Sequence, residues 1–334
     1  MIRALHRNFL VNHRLPLASL SALLSALAVL VWFGFAEHGW GIGFAAAEGE
    51  LVFRFETADG MLYRIESSHD LESWHPIRTI EGDGTTMEYS EPIDSKVGQK
   101  FFRVASLTAG TALTGDFLVT NSGDVLIHPI DHASFVMQWE GLTIYNDPVG
   151  GAAAFTDIPP ADLILVGHRH GDHFSASTIN AIRKDNVRII APQDVFNRMS
   201  ATLQSRTTVL GNGESTTVLG LTVDAVPSYN ANHPVGRDNG YIVTIGDRRI
   251  YMSGDTGDVA EMRALQDIDV AFLCMNIPFT MSIDHAASAT RDFKPRVIYP
   301  YHYRNQDGSF ADLERFRQLV GDEVGVEVRL RDWY

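Results

Sequence analysis

From residue 50 to 106, apolar positions recur at every second residue in short runs, among them 51–55 and 61–65, separated by Asp-Gly and Gly-Asp-Gly turns. A period of two broken by such turns predicts a small all-β module. Residues 107–115, dominated by Thr, Ala and Gly, read as a linker. Beyond them, from 116 to 334, strand-like apolar runs fall at 125–127, 134–138, 142–145, 163–166, 187–190, 221–226, 241–245, 249–252 and 270–274. Helix-like periodicity is found at 176–183, 259–265, 283–293 and 311–320. Because helices and strands are interleaved, the pattern predicts a layered α/β domain.

The N-terminus obeys neither period. Residues 1–14 hold Arg3, Arg7 and Arg14 and no acid, and residues 15–36 run for 22 positions without a charge. Residues 1–47 therefore read as a signal peptide or, given the length of the apolar run, as a single membrane anchor with its basic end inside. Ala45-Ala46-Ala47 offers a small-residue cleavage site. The expected location is periplasmic or extracellular, free or held by this segment.

Composition fits a packed core, with 45% hydrophobic and 20% charged residues. Removing residues 1–47 takes away three arginines and Glu37 and moves the formal charge from −14 to −16. So acidic a body repels phosphate backbones, and no run of Lys or Arg offsets it, which argues against nucleic acid as a partner. The only membrane contact expected is through the leader. The single cysteine, Cys274, lies in the apolar run 270–275 and reads as core packing.

The chemistry concentrates in Leu163-Ile164-Leu165-Val166-Gly167-His168-Arg169-His170-Gly171-Asp172-His173. An apolar strand ends here and a His-rich loop begins. In the strand's extension, alternation points His168 and His170 the same way, where both imidazoles can grip one ion, while Asp172 and His173 turn past Gly171 toward a second. Four ligand-type side chains in six positions have no packing rationale at a strand end. One loop does not complete two coordination spheres. Three further residues stand where strands end: His233 after residues 221–226, Asp255 after 249–252 and His302 after Tyr299-Pro300-Tyr301.

With these residues in this order, the sequence resembles the metallo-β-lactamase-fold hydrolases across residues 120–334, in which a His-x-His-x-Asp-His loop is followed by His, Asp and His. The resemblance implies an αββα sandwich with its site at one sheet edge. By the same resemblance His168, His170 and His233 hold the first metal, Asp172, His173 and His302 the second, and Asp255 bridges them. Asp131-His132-Ala133-Ser134-Phe135, Asn146-Asp147-Pro148-Val149, Asn239-Gly240-Tyr241-Ile242-Val243, Phe279-Thr280-Met281 and the stretch from Lys294-Pro295 to Tyr303 are most similar to the branch of ascorbate-6-phosphate lactonase. Asp131 departs from it, since relatives commonly place Gly before the His. The stretch from Tyr63 to Trp74, closed by Phe101-Phe102-Arg103-Val104, is similar to β-sandwich modules beside exported bacterial enzymes. Trp74 is expected in that module's core.

Around the ligands, His132 is expected to bond substrate, to bond a metal-bound group or to serve the sheet. Asp147 is expected to accept from the metal loop or from an imidazole and so to orient it. Tyr229, Asn230, Arg237 and Tyr303 are candidate substrate contacts by nearness in sequence; for Arg237 a salt bridge is the competing reading. His128 and His285 are expected at the surface. The implied enzyme is a dimetal hydrolase in which a metal-bridging hydroxide cleaves a small ester, lactone, amide or phosphoester, with Asp172 and Asp255 as catalytic residues. Five imidazoles and two carboxylates suit zinc, with manganese or iron as alternatives. A phospholipase-like phosphodiesterase and a non-catalytic metal-binding scaffold are the competing functions.

Overall fold

The computed structural model describes residues 42–47, 50–71, 73–92, 100–107 and 113–334. Residues 1–41 of the expected leader, and 108–112 of the expected linker, lie outside the described residues. The chain divides after residue 109 into two compact units.

In the first unit, strands β1 (Ile42–Ala47), β2 (Glu50–Glu56), β3 (Leu62–Ser68), β4 (His75–Glu81), β5 (Thr86–Pro92) and β6 (Phe101–Leu107) pair antiparallel as β1-β2-β5 and β4-β3-β6. Alternation in β2 and β3 turns Phe53, Phe55, Tyr63 and Ile65 into a core shared with Ile80, Tyr89 and Phe102. The small-residue tail of the expected leader is a strand: Ala45 to Ala47 pair with Val52 to Glu50, an arrangement the six residues IGFAAA do not announce. Trp74 is half-buried beneath the Arg103 guanidinium, 4.3 Å from its ring centre.

The second unit has two sheets. The first runs β13-β12-β11-β10-β9-β8-β7, built from β7 (Gly115–Leu118), β8 (Val125–Asp131), β9 (Ser134–Trp139), β10 (Leu142–Asn146), β11 (Ala161–Leu165), β12 (Arg183–Ala191) and β13 (Thr207–Val209). The second runs β14-β15-β16-β17-β18-β19-β20, from β14 (Ser215–Val218), β15 (Leu221–Asn230), β16 (His233–Ile245), β17 (Arg248–Met252), β18 (Val270–Cys274), β19 (Val297–Tyr301) and β20 (Glu327–Val328). Every residue of β18 and β19 is buried, as expected of parallel strands covered on both faces.

Between the sheets, Phe135 of β9 stacks on Phe272 of β18 with ring centres 4.2 Å apart. Register places Met252 beside Phe272 and so turns Tyr251 to the opposite face. There Tyr251 meets Phe293, at 6.2 Å, on the helix Ile283–Phe293. On the outer face of the first sheet, Val136, Tyr145, Ile164 and Ile189 pack with Ile179 and Ile182 of the helix Ala176–Ile182. The layering is therefore helix, sheet, sheet, helix. Four-residue helices at Gln193–Phe196, Ala201–Gln204 and Ala260–Arg263 and a longer one at Leu313–Val320 complete the described α-helices. Among the described residues no helix is long and apolar enough to cross a membrane.

Phe135 is fully buried and also meets Trp333 edge-on at 5.8 Å. Phe135→Ala is therefore expected to open a cavity between the sheets and cost about 3–5 kcal/mol, read from chemical unfolding; a loss below about 1 kcal/mol would place the core elsewhere.

Candidate metal centre

Strands β10 and β11 run parallel, as do β17, β18 and β19, so their C-terminal ends gather at one edge of each sheet. Loops leaving such ends are where α/β sheets expose side chains to ligands. Asp147 follows β10, His168 to His173 follow β11, Asp255 follows β17 and His302 follows β19, while His233 opens β16 after a tight turn. Within the His-rich loop, the N–H groups of His173 and Phe174 both donate to the His170 carbonyl, at 3.0 and 2.8 Å, which reverses the chain and brings Asp172 and His173 round. Two glycines permit the close approach. A Cβ on Gly167 would lie 2.9 Å from the Asn239 carbonyl oxygen, and Gly254, at φ +58°, has the same oxygen at 2.9 Å.

The structure brings all seven sequence-predicted ligands together. His168, His170 and His233 form one group, and Asp172, His173, Asp255 and His302 another, the ligand atoms within each lying within 4.8 Å of one another. Asp255 faces both: its Oδ2 is 3.5 Å from His233 Nε2 and 3.7 Å from His168 Nε2, and its Oδ1 is 3.1 Å from His173 Nε2 and 3.3 Å from His302 Nε2. The His173 and His302 Nε2 atoms stand 3.0 Å apart.

This donor set fits cations. His168 Nε2 and Asp255 Oδ1 are buried with no hydrogen-bond partner, a costly state unless something electrophilic occupies the space between them. Two imidazole nitrogens 3.0 Å apart are close enough to share one positive centre, a proton or a metal ion. Burial, reinforced by the nearby His173, holds His168 well below the ordinary imidazole value, leaving it neutral and able to ligate. His173 is held well above it: burial opposes, but the carboxylates of Asp255 and Asp147 prevail, so the site favours positive charge at this position.

Behind the ligands, buried carboxylates aim the rings. Asp147 Oδ1 accepts from Gly167 N at 2.7 Å and Oδ2 lies 2.8 Å from His173 Nδ1, as expected from its place after β10. Asp238 does the same for His233, Oδ2 to Nδ1 at 2.8 Å. Its burial opposes ionisation, yet bonds from His233 and Arg237 push its pKa down to about 2. Asp238 is not among the residues expected from the sequence, where its only mark is an acid shortly before the apolar run Tyr241-Ile242-Val243.

Several expected substrate contacts are otherwise engaged. Arg237 forks onto Asp238 through Nε at 2.8 Å and Nη2 at 2.7 Å, the salt-bridge reading. Asn230 Nδ2 donates to the Asp255 carbonyl at 2.7 Å and so fixes a ligand's backbone. The Tyr229 hydroxyl donates to Glu261 at 3.0 Å and the Tyr303 hydroxyl to the Arg331 carbonyl at 3.3 Å. His132 adjoins the site, Nε2 3.3 Å from Asp172 Oδ2, its ring centre 3.6 Å from that of His302. His285 is exposed on its helix as expected, whereas His128 is half-buried, its Nδ1 2.7 Å from the Thr114 carbonyl. Cys274 is buried and belongs to neither ligand group; burial pushes its thiol up to about 12.

Residues 126–302 match the beta-lactamase superfamily domain. The chain is 34% identical over 210 residues to a UPF0173 metal-dependent hydrolase of Thermococcus kodakarensis, covering 60% of this chain and 93% of that one. It is 35% identical over 212 residues to one of Pyrococcus abyssi, with 60% and 93% coverage. A crystal structure from Parabacteroides distasonis, provisionally assigned as a metal-dependent hydrolase, is similar at 36% identity and TM-score 0.60, over 67% of this chain and 100% of that one. A metallo hydrolase from Ignicoccus hospitalis, 22% identical with a TM-score of 0.55 over 62% of this chain and 95% of that one, shares the fold.

Proposed function

The chain belongs to the metal-dependent hydrolases of the metallo-β-lactamase superfamily, and from that premise we propose that it is a two-metal hydrolase of a small ester, lactone, amide or phosphoester. In this reading His168, His170 and His233 hold one ion, Asp172, His173 and His302 the other, and Asp255 serves both. The observation that carries it is the Asp255 carboxylate, whose two oxygens turn to different histidine groups. Divalent cations, when bound, supply Lewis acidity and lower the pKa of water toward neutrality. Zinc is the proposed metal, with manganese or iron as alternatives.

The chain's own residues supply orientation. Asp147 and Asp238 accept from the Nδ1 atoms of His173 and His233, leaving each Nε2 lone pair for the ion. Asn230 ties the Asp255 backbone to the turn that leads into His233. Asp172 has a half-exposed side chain, where substrate enters from solvent, and it carries the role of orienting the attacking water. Lactones of the ascorbate-6-phosphate type are the narrower form of this proposal, and export or anchoring by residues 1–47 its cellular setting.

The test is metal analysis of purified protein coupled to a screen of lactones, esters, amides and phosphodiesters. Bound transition metal and hydrolysis of one class are expected, with turnover lost on chelation and restored on reloading. Active material that carries no metal would overturn the proposal.

A further inference from the structure

Apart from the carboxylates behind the ligands, one chain of hydrogen bonds enters the centre from the far end of the sequence. The Tyr334 hydroxyl oxygen receives the backbone N–H of Tyr303 at 3.0 Å and that of Arg304 at 3.1 Å, and it lies 2.8 Å from His132 Nδ1. A phenol oxygen has two lone pairs and one proton. Two amides take the lone pairs, so the proton goes to His132 Nδ1. A ring that accepts at Nδ1 is neutral and carries its proton on Nε2, and that atom is 3.3 Å from Asp172 Oδ2. The other tautomer would set N–H against an oxygen with no lone pair left, and a bare nitrogen lone pair against a carboxylate.

We propose that Tyr334 is a positioning residue of the metal centre: its hydroxyl sets the tautomer of His132, and the His132 Nε2–H then holds Asp172 in its ligating orientation. The role in metal binding rests on the two-metal reading; the tautomer does not. Asp172 is the one ligand with an exposed side chain, and the imidazoles of His302 and His173 stand farther from its Oδ2, at 3.5 and 3.8 Å. It therefore needs an external hold more than the buried ligands do. The His132 ring is itself fixed. Its backbone N–H donates to the Trp333 carbonyl at 3.2 Å, its backbone carbonyl accepts from His302 N at 3.1 Å, and its ring packs tilted against that of His302. What the fold leaves open is which nitrogen carries the proton. Tyr334 decides it, and is in turn wedged between Phe310, with ring centres 5.0 Å apart, and the Arg304 guanidinium, 4.5 Å from its ring.

The experiment is a long-range ¹H–¹⁵N correlation spectrum of the full protein labelled at histidine nitrogen, which reports the protonated nitrogen of each ring. Wild-type His132 is expected as the Nε2–H form, and a proton on Nδ1 overturns the proposal without any variant. In Tyr334→Phe the ring packing stays and the hydroxyl goes. The Nε2–H preference, then supported by Asp172 alone, should weaken so that an Nδ1–H population appears, and zinc affinity measured by chelator competition should fall roughly tenfold, the scale expected for a partner behind a ligand. An unchanged tautomer overturns the proposal. The third arm is His132→Asn, a residue that tolerates the φ of +57° found there. Adding Tyr334→Phe to it should change zinc affinity no further, and an equal second loss would make Tyr334 a general structural residue. If the protein binds no metal at all, the two-metal reading fails while the tautomer result stands.

Discussion

Asp255→Ala is expected to lower metal-dependent turnover by roughly a thousandfold or more, because several kcal/mol of transition-state stabilisation by bound cations depends on its ligand set. The reason lies in its two oxygens. Oδ2 faces His233 and His168, and Oδ1 faces His173 and His302, so a single truncation removes a donor from both groups. His168→Ala touches one group directly and is expected to abolish turnover while sparing more of the metal bound by the other. Neither residue belongs to the apolar core between the sheets, so chemical unfolding should show both variants folded. Metal content and kcat/KM measured on the same preparations check this. Wild-type turnover with full metal loading in either variant would remove the seven-residue centre as an explanation of activity.

How much of this was legible in the sequence depends on how local each feature is. The strands of the second unit were readable where burial on both faces gives an unbroken apolar run, as in β18, or where alternation is clean, as in the first half of β15. The ligands were readable because strand ends are marked by glycines and polar residues. Four-residue helices such as Gln193–Phe196 show barely one turn of periodicity, and edge strands such as Glu327–Val328 show none. Nearness in sequence does not fix where a side chain leads: Tyr303 follows His302 directly, and its hydroxyl bonds the Arg331 carbonyl. Asp238 becomes a partner of His233 only through the β15–β16 pairing, where Ser228 opposes Asp238 and Asn230 opposes His233. Tyr334 reaches His132 across 202 positions, and no local pattern encodes that contact.

The residue behind His173 gives the second large effect, and two substitutions separate its contributions. Asp147 is buried, sits at φ +43°, accepts from Gly167 N at 2.7 Å and pairs with His173 Nδ1 at 2.8 Å. Asp147→Ala removes both bonds and leaves His173 buried without this partner, at an expected cost of about 3–5 kcal/mol in unfolding free energy. Asp147→Asn keeps the size and tolerates the left-handed backbone, but an amide offers one accepting oxygen where the carboxylate offers two. If that oxygen serves Gly167, the amide N–H₂ points at His173 Nδ1 and forces the ring proton onto Nε2, the atom that faces Asp255 and His302. If the amide is turned round, it meets the Gly167 N–H donor to donor. Either way the centre loses a correctly aimed imidazole or the anchor of its loop. Metal affinity, measured by chelator competition, should fall about 10- to 100-fold. Most of the alanine variant's stability loss should be recovered. An asparagine variant that binds zinc as tightly as the wild type would mean that metal binding depends neither on the carboxylate behind His173 nor on the Gly167 anchor.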